Sequence, residues 1–254
     1  MILGLEFPPI SHLVEWPTLF GGDVFGVNKV VLLMWISVGL VFGLFYVATR
    51  SPKLVPTGVQ NVAESTVEFV DEQIVMQTIG PDGRGYMPFL LTLFTFVFVC
   101  NLWELIPLVQ MPVNARIALP MFMAIVVWFV YIIVGIRHQG LIGYLKNSTV
   151  PPGVPKAILP LVAFIELIGI LITRPFSLAI RLFANMLAGH LILATFALLC
   201  AALFSTTLLV AILPFSFGLL IALTAFEILV AGLQAFIFTI LTGVYVGSSM
   251  HPDH

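Results

Sequence analysis

Long apolar runs separated by short polar segments make up most of the chain. The first three runs, residues 30–48, 89–109 and 117–136, each have about the 20 residues that an α-helix needs to cross the hydrocarbon core of a bilayer. Two later runs, residues 157–205 and 207–246, are each roughly twice that length. The pattern predicts an all-α integral membrane protein.

The two long runs can be interpreted as single tilted helices or as hairpins of two shorter spans. Neither has a strong turn signal at its midpoint, and Gly169, Pro175 and Pro214 lie off centre, where they resemble kinks. We favour two long, tilted, antiparallel helices, which gives five spans, whereas hairpins would give seven. The predicted elements of this single membrane domain, 1–254, are spans at 28–49, 88–110 and 117–137, a surface helix at 57–79, and long helices at 157–205 and 207–247.

The segment between the first two spans has the three- and four-residue spacing of an amphipathic helix. Its polar positions are Asn61, Glu64, Ser65, Glu68, Asp71 and Glu72. Its apolar positions are Val59, Val62, Phe69, Val70 and Ile74. We predict that this helix lies along the membrane surface. Because anionic lipid prefers a basic face, the acidic face either contacts another protein or is simply solvated.

Composition excludes a soluble protein and several classes of function. The 254 residues are 60% hydrophobic and only 9% charged, whereas soluble domains have about 25% charged residues. A net charge of -2 provides no basic surface for nucleic acid. Cys100 and Cys200 lie inside apolar runs, so we interpret them as small buried hydrophobic residues. We expect no metal and no cofactor.

The basic residues between the spans predict the orientation of the chain. One side of the membrane has the larger group: Arg50, Lys53, Arg84, Arg137, Lys146 and Lys156. The other side has Lys29 and Arg116. Because loops rich in lysine and arginine stay in the cytoplasm, the N-terminus is predicted outside and the C-terminus in the cytoplasm.

Ionisable residues inside the apolar runs are the main indication of function. A charge at the bilayer centre costs about 2.5–3.5 kcal/mol on insertion scales, so such residues are functional hypotheses by default. The ionisable residues are Glu104 in the second span, Glu166, Arg174, Arg181 and His190 on the first long helix, and Glu227 on the second. Asn185 and Gln234 are further polar residues in these helices.

Arg181 has apolar sequence on both sides, which makes it difficult for the guanidinium to reach the membrane surface. Arginine stays protonated, so it does not carry protons by titrating. It acts instead as a fixed positive charge that attracts a carboxylate and blocks free cation flow. The alternative is a structural ion pair with Glu166 or Glu227.

His190 and Glu227 are the residues best suited to take up and release protons. If Arg181 lies beside Gln234, His190 and Glu227 lie about 13 and 10 Å further toward the outer face, at similar depth. His190 also falls nearly opposite Arg181 around its helix. This arrangement predicts a proton path on the His190 side of the helix, which approaches the Arg181 site from the opposite side and is not one straight pore. For either residue alone, the alternative is ordinary polar packing.

Glu166 lies fifteen residues from Arg181, about 22 Å along the helix axis toward the cytoplasm. It either lines a second path to the cytoplasm or pairs with nearby Lys156. The sequence has no Gly-x-x-x-x-Gly-Lys-Ser/Thr phosphate loop. We therefore expect that the chain is not an enzyme by itself.

Two motifs resemble the signature of subunit a of the F-type rotary ATP synthases. The first is RLFANMLAGH, from Arg181 to His190, and the second is EILVAGLQAFIF, beginning at Glu227. The resemblance covers nearly the whole chain. It implies that Arg181 is the stator arginine facing a ring of c subunits, with Gln234 beside it and Asn185 close by. Many bacterial members have an acid where this chain has His190 and a histidine where it has Glu227, so the two types are exchanged here.

The resemblance also implies a mechanism and partners. Protons would pass through an outer half-channel lined by His190, Glu227 and Glu104 and leave through a cytoplasmic half-channel near Glu166. The implied partners are the c-ring, b-type peripheral stalk subunits and the nucleotide-binding subunits of the complex, in a bacterial plasma membrane. The cationic histidine favours protons over sodium. The alternative is a self-contained transporter, but these charges crowd into the last two helices, whereas many transporters have matched halves.

Overall fold

The computed structural model describes residues 26–106, 109, 113–150, 154–155, 158–204 and 208–250, and the regular elements in these ranges are helices. Within these ranges, five helical stretches are long and apolar enough to cross a membrane: Lys29–Arg50, Pro81–Leu102, Ala118–Thr149, Leu159–Leu203 and Val210–Met250. This confirms an all-α membrane fold with five spans, the last two long. The predicted helix ends at 110, 157, 205 and 207 lie outside the described residues.

Helix α1, Lys29–Arg50, faces away from the rest of the protein over most of its surface. It begins at an N-cap, where the Asn28 side chain accepts a 3.0 Å hydrogen bond from the backbone N–H of Val31. Its buried side chains are Val30, Leu33, Ser37 and Ala48. The other apolar side chains are largely exposed, as expected of a helix that contacts lipid.

The predicted surface helix comprises α2, Val59–Val70, a π-helical turn, Asp71–Val75, and a last helical turn α3, Met76–Thr78. A π-helical turn adds one residue to the helical repeat and so rotates the following side chains. The end of this segment is tightly packed, because the Thr78 backbone carbonyl occupies the space that a side chain at Gly247 would need.

The apolar face predicted for the surface helix divides between the protein interior and the outside of the chain. Val70 and Ile74 are fully buried. Val59, Val62 and Phe69 are exposed within the chain, where an amphipathic helix at the membrane surface can contact lipid. Gln60 is buried as well, and its side chain makes hydrogen bonds of 3.0 and 2.9 Å with the backbone of Lys53.

The second span is a 3-10 helix, Pro81–Tyr86, followed by α4, Met87–Leu102. The third, α5, spans Ala118–Thr149 and so extends beyond the predicted end at 137. Gly140 interrupts it with a φ of 73°, a conformation that favours glycine. The following turns bring the ring of Tyr144 onto Gly135, where an added side chain would clash.

The first long helix is continuous through a π-helical turn. It comprises α6, Leu159–Ile168, the turn Gly169–Thr173, and α7, Arg174–Leu203. Such turns leave backbone carbonyls without their usual helical partners. Here the carbonyl of Ile170 accepts two side-chain hydrogen bonds from α5, from the Tyr131 hydroxyl at 2.6 Å and from the Trp128 indole at 3.2 Å.

The second long helix, α8, spans Leu213–Met250 and follows a 3-10 helix, Leu208–Ile212. The hairpin alternative for the two long runs is therefore wrong. Pro175 lies just after the π-helical turn and Pro214 just after the 3-10 helix, where the helical hydrogen-bond pattern already changes. Helix α8 packs against α4, α5 and α7, and this places its polar residues inside the protein.

Candidate functional site

Three ionisable side chains from three elements converge inside the protein. Glu104 lies in the turn after α4, His190 on α7 and Glu227 on α8, and none is more than 9% exposed. His190 Nδ1 lies 3.8 Å from Glu104 Oε1. The Glu104 and Glu227 carboxyl groups are close enough to interact electrostatically. The structure therefore brings together the three residues that the resemblance assigns to the outer half-channel.

Gly189 creates the space that the Glu227 carboxyl group occupies. A Cβ atom built on Gly189 would lie 2.6 Å from Glu227 Oε1 and 2.8 Å from its Cδ, well inside van der Waals contact. Any other residue at 189 would displace the carboxyl group. The glycine before His190 thus allows the acid of α8 to pack against the backbone of α7, one residue from the imidazole.

A cavity of about 150 Å³ adjoins this cluster. Glu104, His190 and Thr224 contribute polar groups to its wall. The remaining lining residues are apolar: Leu105, Leu193, Ala194, Ala197 and Leu220. The cavity is large enough for several water molecules, and its polar groups can bind them. Water in such a position can exchange protons with both the carboxyl and the imidazole groups.

Several buried polar atoms near this cluster have no hydrogen-bond partner among the described residues. They include Glu104 Oε1, Glu227 Oε2, Asn114 Oδ1 and Gln234 Nε2. A buried polar group without a partner costs about 1–3 kcal/mol, so a protein rarely retains several together unless they serve a purpose. The two carboxyl oxygens can accept protons, whereas the two amide atoms can form hydrogen bonds with water or with groups of another protein.

Asn101 and Asn114 are buried polar residues that the sequence analysis missed. The Asn114 Nδ2 group donates a 2.7 Å hydrogen bond to Asn101 Oδ1, and Asn101 Nδ2 donates one of 3.2 Å to the carbonyl of Ala231. Asn101 lies three residues before Glu104, a spacing that places two residues on one helical face. That spacing is the signal that could have identified Asn101.

The contact between Gly189 and Glu227 also defines how the two antiparallel helices align. Arg181 lies eight residues before Gly189, and Ala235 lies eight residues after Glu227. Both residues are therefore the same distance from the contact, on the side away from the α7–α8 connection. Arg181 is therefore level with the residue that follows Gln234. This agrees within one residue with the alignment assumed from the sequence. Gln234 is buried, whereas Asn185 is half-buried.

Arg181 is exposed on the outer surface of α7. Within the described residues it forms no ion pair with an acidic side chain, so the predicted alternative of a pair with Glu166 or Glu227 is wrong. The exposed positions one turn before it and one and two turns after it carry small residues, Ser177, Ala184 and Ala188, and the adjacent Ile180 is also exposed. His190 is buried on the opposite side of the same helix. A helix of another protein could therefore approach this face closely.

Glu166 is not part of the buried cluster. It lies half-buried on α6, and its proposed partner Lys156 lies outside the described residues. Between Glu166 and Arg181, the guanidinium of Arg174 lies over the ring of Tyr245, 5.4 Å from its centroid. In the described part of the chain, no three His, Cys, Asp or Glu side chains are arranged to hold a metal ion.

This geometry combines proton-exchanging groups with a fixed charge. The carboxyl and imidazole groups of the buried cluster can pass protons between themselves and water. Arg181 cannot release its proton, and it stands on the far side of α7 from His190. The arrangement therefore supports proton movement through the protein toward a surface that presents a permanent positive charge.

Comparison with known proteins agrees with this chemistry. Residues 31–247 match the family model described as ATP synthase A chain. ATP synthase subunit a of Frankia alni is 44% identical over 257 residues, covering 97% of this chain and 87% of that protein. The subunit of Streptomyces lividans is 37% identical, covering 99% and 90%, and that of a Methylobacterium species is 39% identical, covering 99% and 100%. The chain belongs to the ATP synthase A chain family.

Proposed function

We propose that this chain is the stator subunit that conducts protons to and from the c-ring of a rotary ATP synthase. As a member of its family, it is a proton-translocating subunit of the Fo membrane sector. The observation that carries the proposal is the buried convergence of Glu104, His190 and Glu227 beside a cavity. The proposal concerns the two paths that protons take and the surface that meets the ring.

The outer path is the cluster of Glu104, His190 and Glu227. Its two carboxyl groups and one imidazole supply exchangeable protons at positions that ordinary packing does not require. Asn101 and Asn114 extend this polar region along α8 toward Gln234. A proton that enters here reaches a carboxylate of a c subunit and neutralises it, so that this carboxyl group can rotate into lipid.

The exposed face around Arg181 is the proposed contact with the c-ring. Its small side chains let a c-subunit helix approach, and the guanidinium attracts the ionised carboxylate of that helix. Gln234 and Asn185 provide polar groups near this contact. Because Arg181 keeps its charge, it separates the two paths and prevents protons from passing directly between them.

The cytoplasmic path lies near Glu166, where the c-subunit carboxyl group releases its proton after nearly a full turn of the ring. Each proton that crosses 100 mV releases about 2.3 kcal/mol, so ATP synthesis must add the energy of several protons. We infer that partner subunits carry out the nucleotide chemistry. The c-ring, b-type peripheral stalk subunits and the rest of the F1Fo complex are the proposed partners.

The proposed setting is a bacterial plasma membrane, with the N-terminus outside and the C-terminus in the cytoplasm. The distribution of lysine and arginine supports this orientation. Protons are the proposed coupling ion, because a cationic imidazole at His190 opposes the entrance of sodium. Membership of the ATP synthase A chain family argues against the alternative of a self-contained transporter.

The test is ATP-driven proton pumping in inverted membrane vesicles that carry Arg181→Ala. We expect pumping to fall to background, because the c-subunit carboxylate loses the charge that attracts it. Arg50→Ala, which removes another exposed arginine at the end of α1, should leave pumping near the wild-type rate. Co-purification of the subunits establishes that each complex is assembled. Normal pumping by assembled Arg181→Ala complexes would overturn the proposal.

A further inference from the structure

Ser37 is a polar residue on the buried side of a helix that otherwise faces outward. It is fully buried, and its neighbours on this side of α1 are Val30, Leu33 and Ala48. Its hydroxyl donates a 2.8 Å hydrogen bond to the carbonyl of Leu33, one turn earlier in the helix. That bond uses the only donor of the hydroxyl and leaves its oxygen available as an acceptor.

The acceptor of Ser37 is used by the residue that precedes Glu104. The Trp103 indole N–H donates a 2.7 Å hydrogen bond to Ser37 Oγ. Cys100, which is also fully buried, packs in the same cluster as Leu33 and Trp103. The serine therefore joins α1 to the end of α4 at the point where the helix becomes the turn that carries Glu104.

The turn itself has little backbone support. The N–H of Glu104 lies 3.4 Å from the carbonyl of Asn101, and that of Leu105 lies 3.1 Å from the carbonyl of Leu102, both across a single turn. Bonds near 3.4 Å are long for a backbone hydrogen bond. A side-chain bond from outside the turn therefore adds a restraint on its orientation.

A second contact from α1 holds the chain beyond Glu104. The Lys29 ammonium donates a 2.9 Å hydrogen bond to the carbonyl of Val109. Helix α1 thus binds the chain on both sides of Glu104, through Ser37 before it and Lys29 after it. Two such contacts restrain the turn between them against the cluster formed by α7 and α8.

We propose that Ser37 is a positioning residue for proton transfer, which acts through the Trp103 indole to hold the Glu104 carboxyl group against His190 and Glu227. This inference rests on the proposed function, because it assigns Ser37 to the outer path. It gives α1 a role in that path although no ionisable side chain of α1 enters the cluster. Ser37 does not itself exchange protons with the path.

The test compares Ser37→Ala with Ser249→Ala in assembled complexes, with ATP-driven proton pumping measured as a function of pH. Ser249 is a matched control, because it is also buried and its hydroxyl bonds to its own helix, at the far end of α8. We expect Ser37→Ala to lower pumping by roughly threefold to tenfold, the effect of one lost hydrogen bond, and to change the shape of the pH profile. The Ser249→Ala profile should match wild type.

A second pair of variants distinguishes positioning from general stability. Trp103→Phe removes the same hydrogen bond, so it should reproduce the Ser37→Ala profile, and the double variant should be no worse than either. In a Glu104→Gln background, Ser37→Ala should cause no further change. If Ser37→Ala and Trp103→Phe have wild-type pH profiles while Glu104→Gln impairs pumping, the inference about Ser37 is overturned and the place of Glu104 in the outer path is not. Normal pumping in Glu104→Gln would overturn both this inference and the place of Glu104 in the outer path.

Discussion

The ionisable residues of the two long helices, α6–α7 and α8, have different surroundings in the two halves of these helices. In the half toward the α7–α8 connection, His190 and Glu227 are buried and meet Glu104 from a third element. In the other half, Glu166 is only half-buried and Arg174 lies over an aromatic ring. One half encloses its polar groups, whereas the other leaves its acid near the surface.

The difference indicates which parts of the proposed proton path the chain forms without a partner. A buried cluster needs several elements to exclude lipid and to hold charges together, and α4, α7 and α8 supply them around Glu104. Arg181 and the small residues beside it are exposed, so this surface needs a second protein to become a site. We therefore expect substitutions in the enclosed half to have larger effects on conduction than substitutions at Glu166.

The largest expected difference is between Glu227→Gln and Glu166→Gln. Glutamine keeps the shape of glutamate but cannot exchange a proton. In the buried cluster we expect ATP-driven proton pumping to fall by roughly tenfold or more, a typical contribution of a positioned acid or base. At the half-buried Glu166, nearby water can replace the carboxyl group, so the loss should be less than about threefold. Equal losses in assembled complexes would contradict the comparison.

Gly189→Ala should have an intermediate effect. The added Cβ would lie 2.6 Å from Glu227 Oε1, so the flexible end of the glutamate must move while the backbone need not. We expect assembly to stay normal and proton pumping to fall several-fold, roughly three- to tenfold, because the carboxyl group leaves its place in the cluster. Gly39→Ala on α1 is the control, since a Cβ there meets no atom within 4 Å. Equal pumping in the two variants would refute this geometry.

The smallest effect is expected for Tyr131→Phe at the π-helical turn. The substitution removes the 2.6 Å bond from the hydroxyl to the Ile170 carbonyl and leaves the one from Trp128. We expect a loss of about 1 kcal/mol in stability, seen as a lower midpoint for thermal dissociation of the purified complex, with pumping at 25 °C little changed. Tyr46→Phe, at an exposed tyrosine, is the control. A midpoint equal to that of the control would show that the bond contributes nothing.

Sequence patterns predicted most of the fold because span length and hydropathy are local properties. Five spans and two long helices followed from the apolar runs, whereas the alignment of Arg181 with Gln234 was assumed and was implied by the resemblance. The burial of Gln60 on the surface helix was not predicted, because it depends on hydrogen bonds between its side chain and the backbone of Lys53 in the preceding loop. Periodicity records which residues share a face but not which face the rest of the chain covers.

The candidate site was predicted less completely. Arg181, His190 and Glu227 stand out in the sequence because a charged or titratable residue inside an apolar run is costly and therefore rare. Asn101, Asn114 and Ser37 did not, because small neutral polar residues are common in membrane helices and their importance depends on their partners. Their hydrogen bonds join segments that are far apart in the sequence.

By itself, the sequence determined that this is a five-span membrane protein whose last two helices carry two permanently charged arginines together with residues that are chemically able to exchange protons. Hydropathy, helical repeat and the cost of buried charge depend on each residue and its near neighbours, so they can be read from the order of residues. The resemblance implied that Glu104 joins His190 and Glu227 and that Arg181 faces a partner, but only the tertiary structure decided how closely these side chains approach one another and that Gly189 makes room for Glu227. Those features depend on how separate helices pack, which local patterns do not specify.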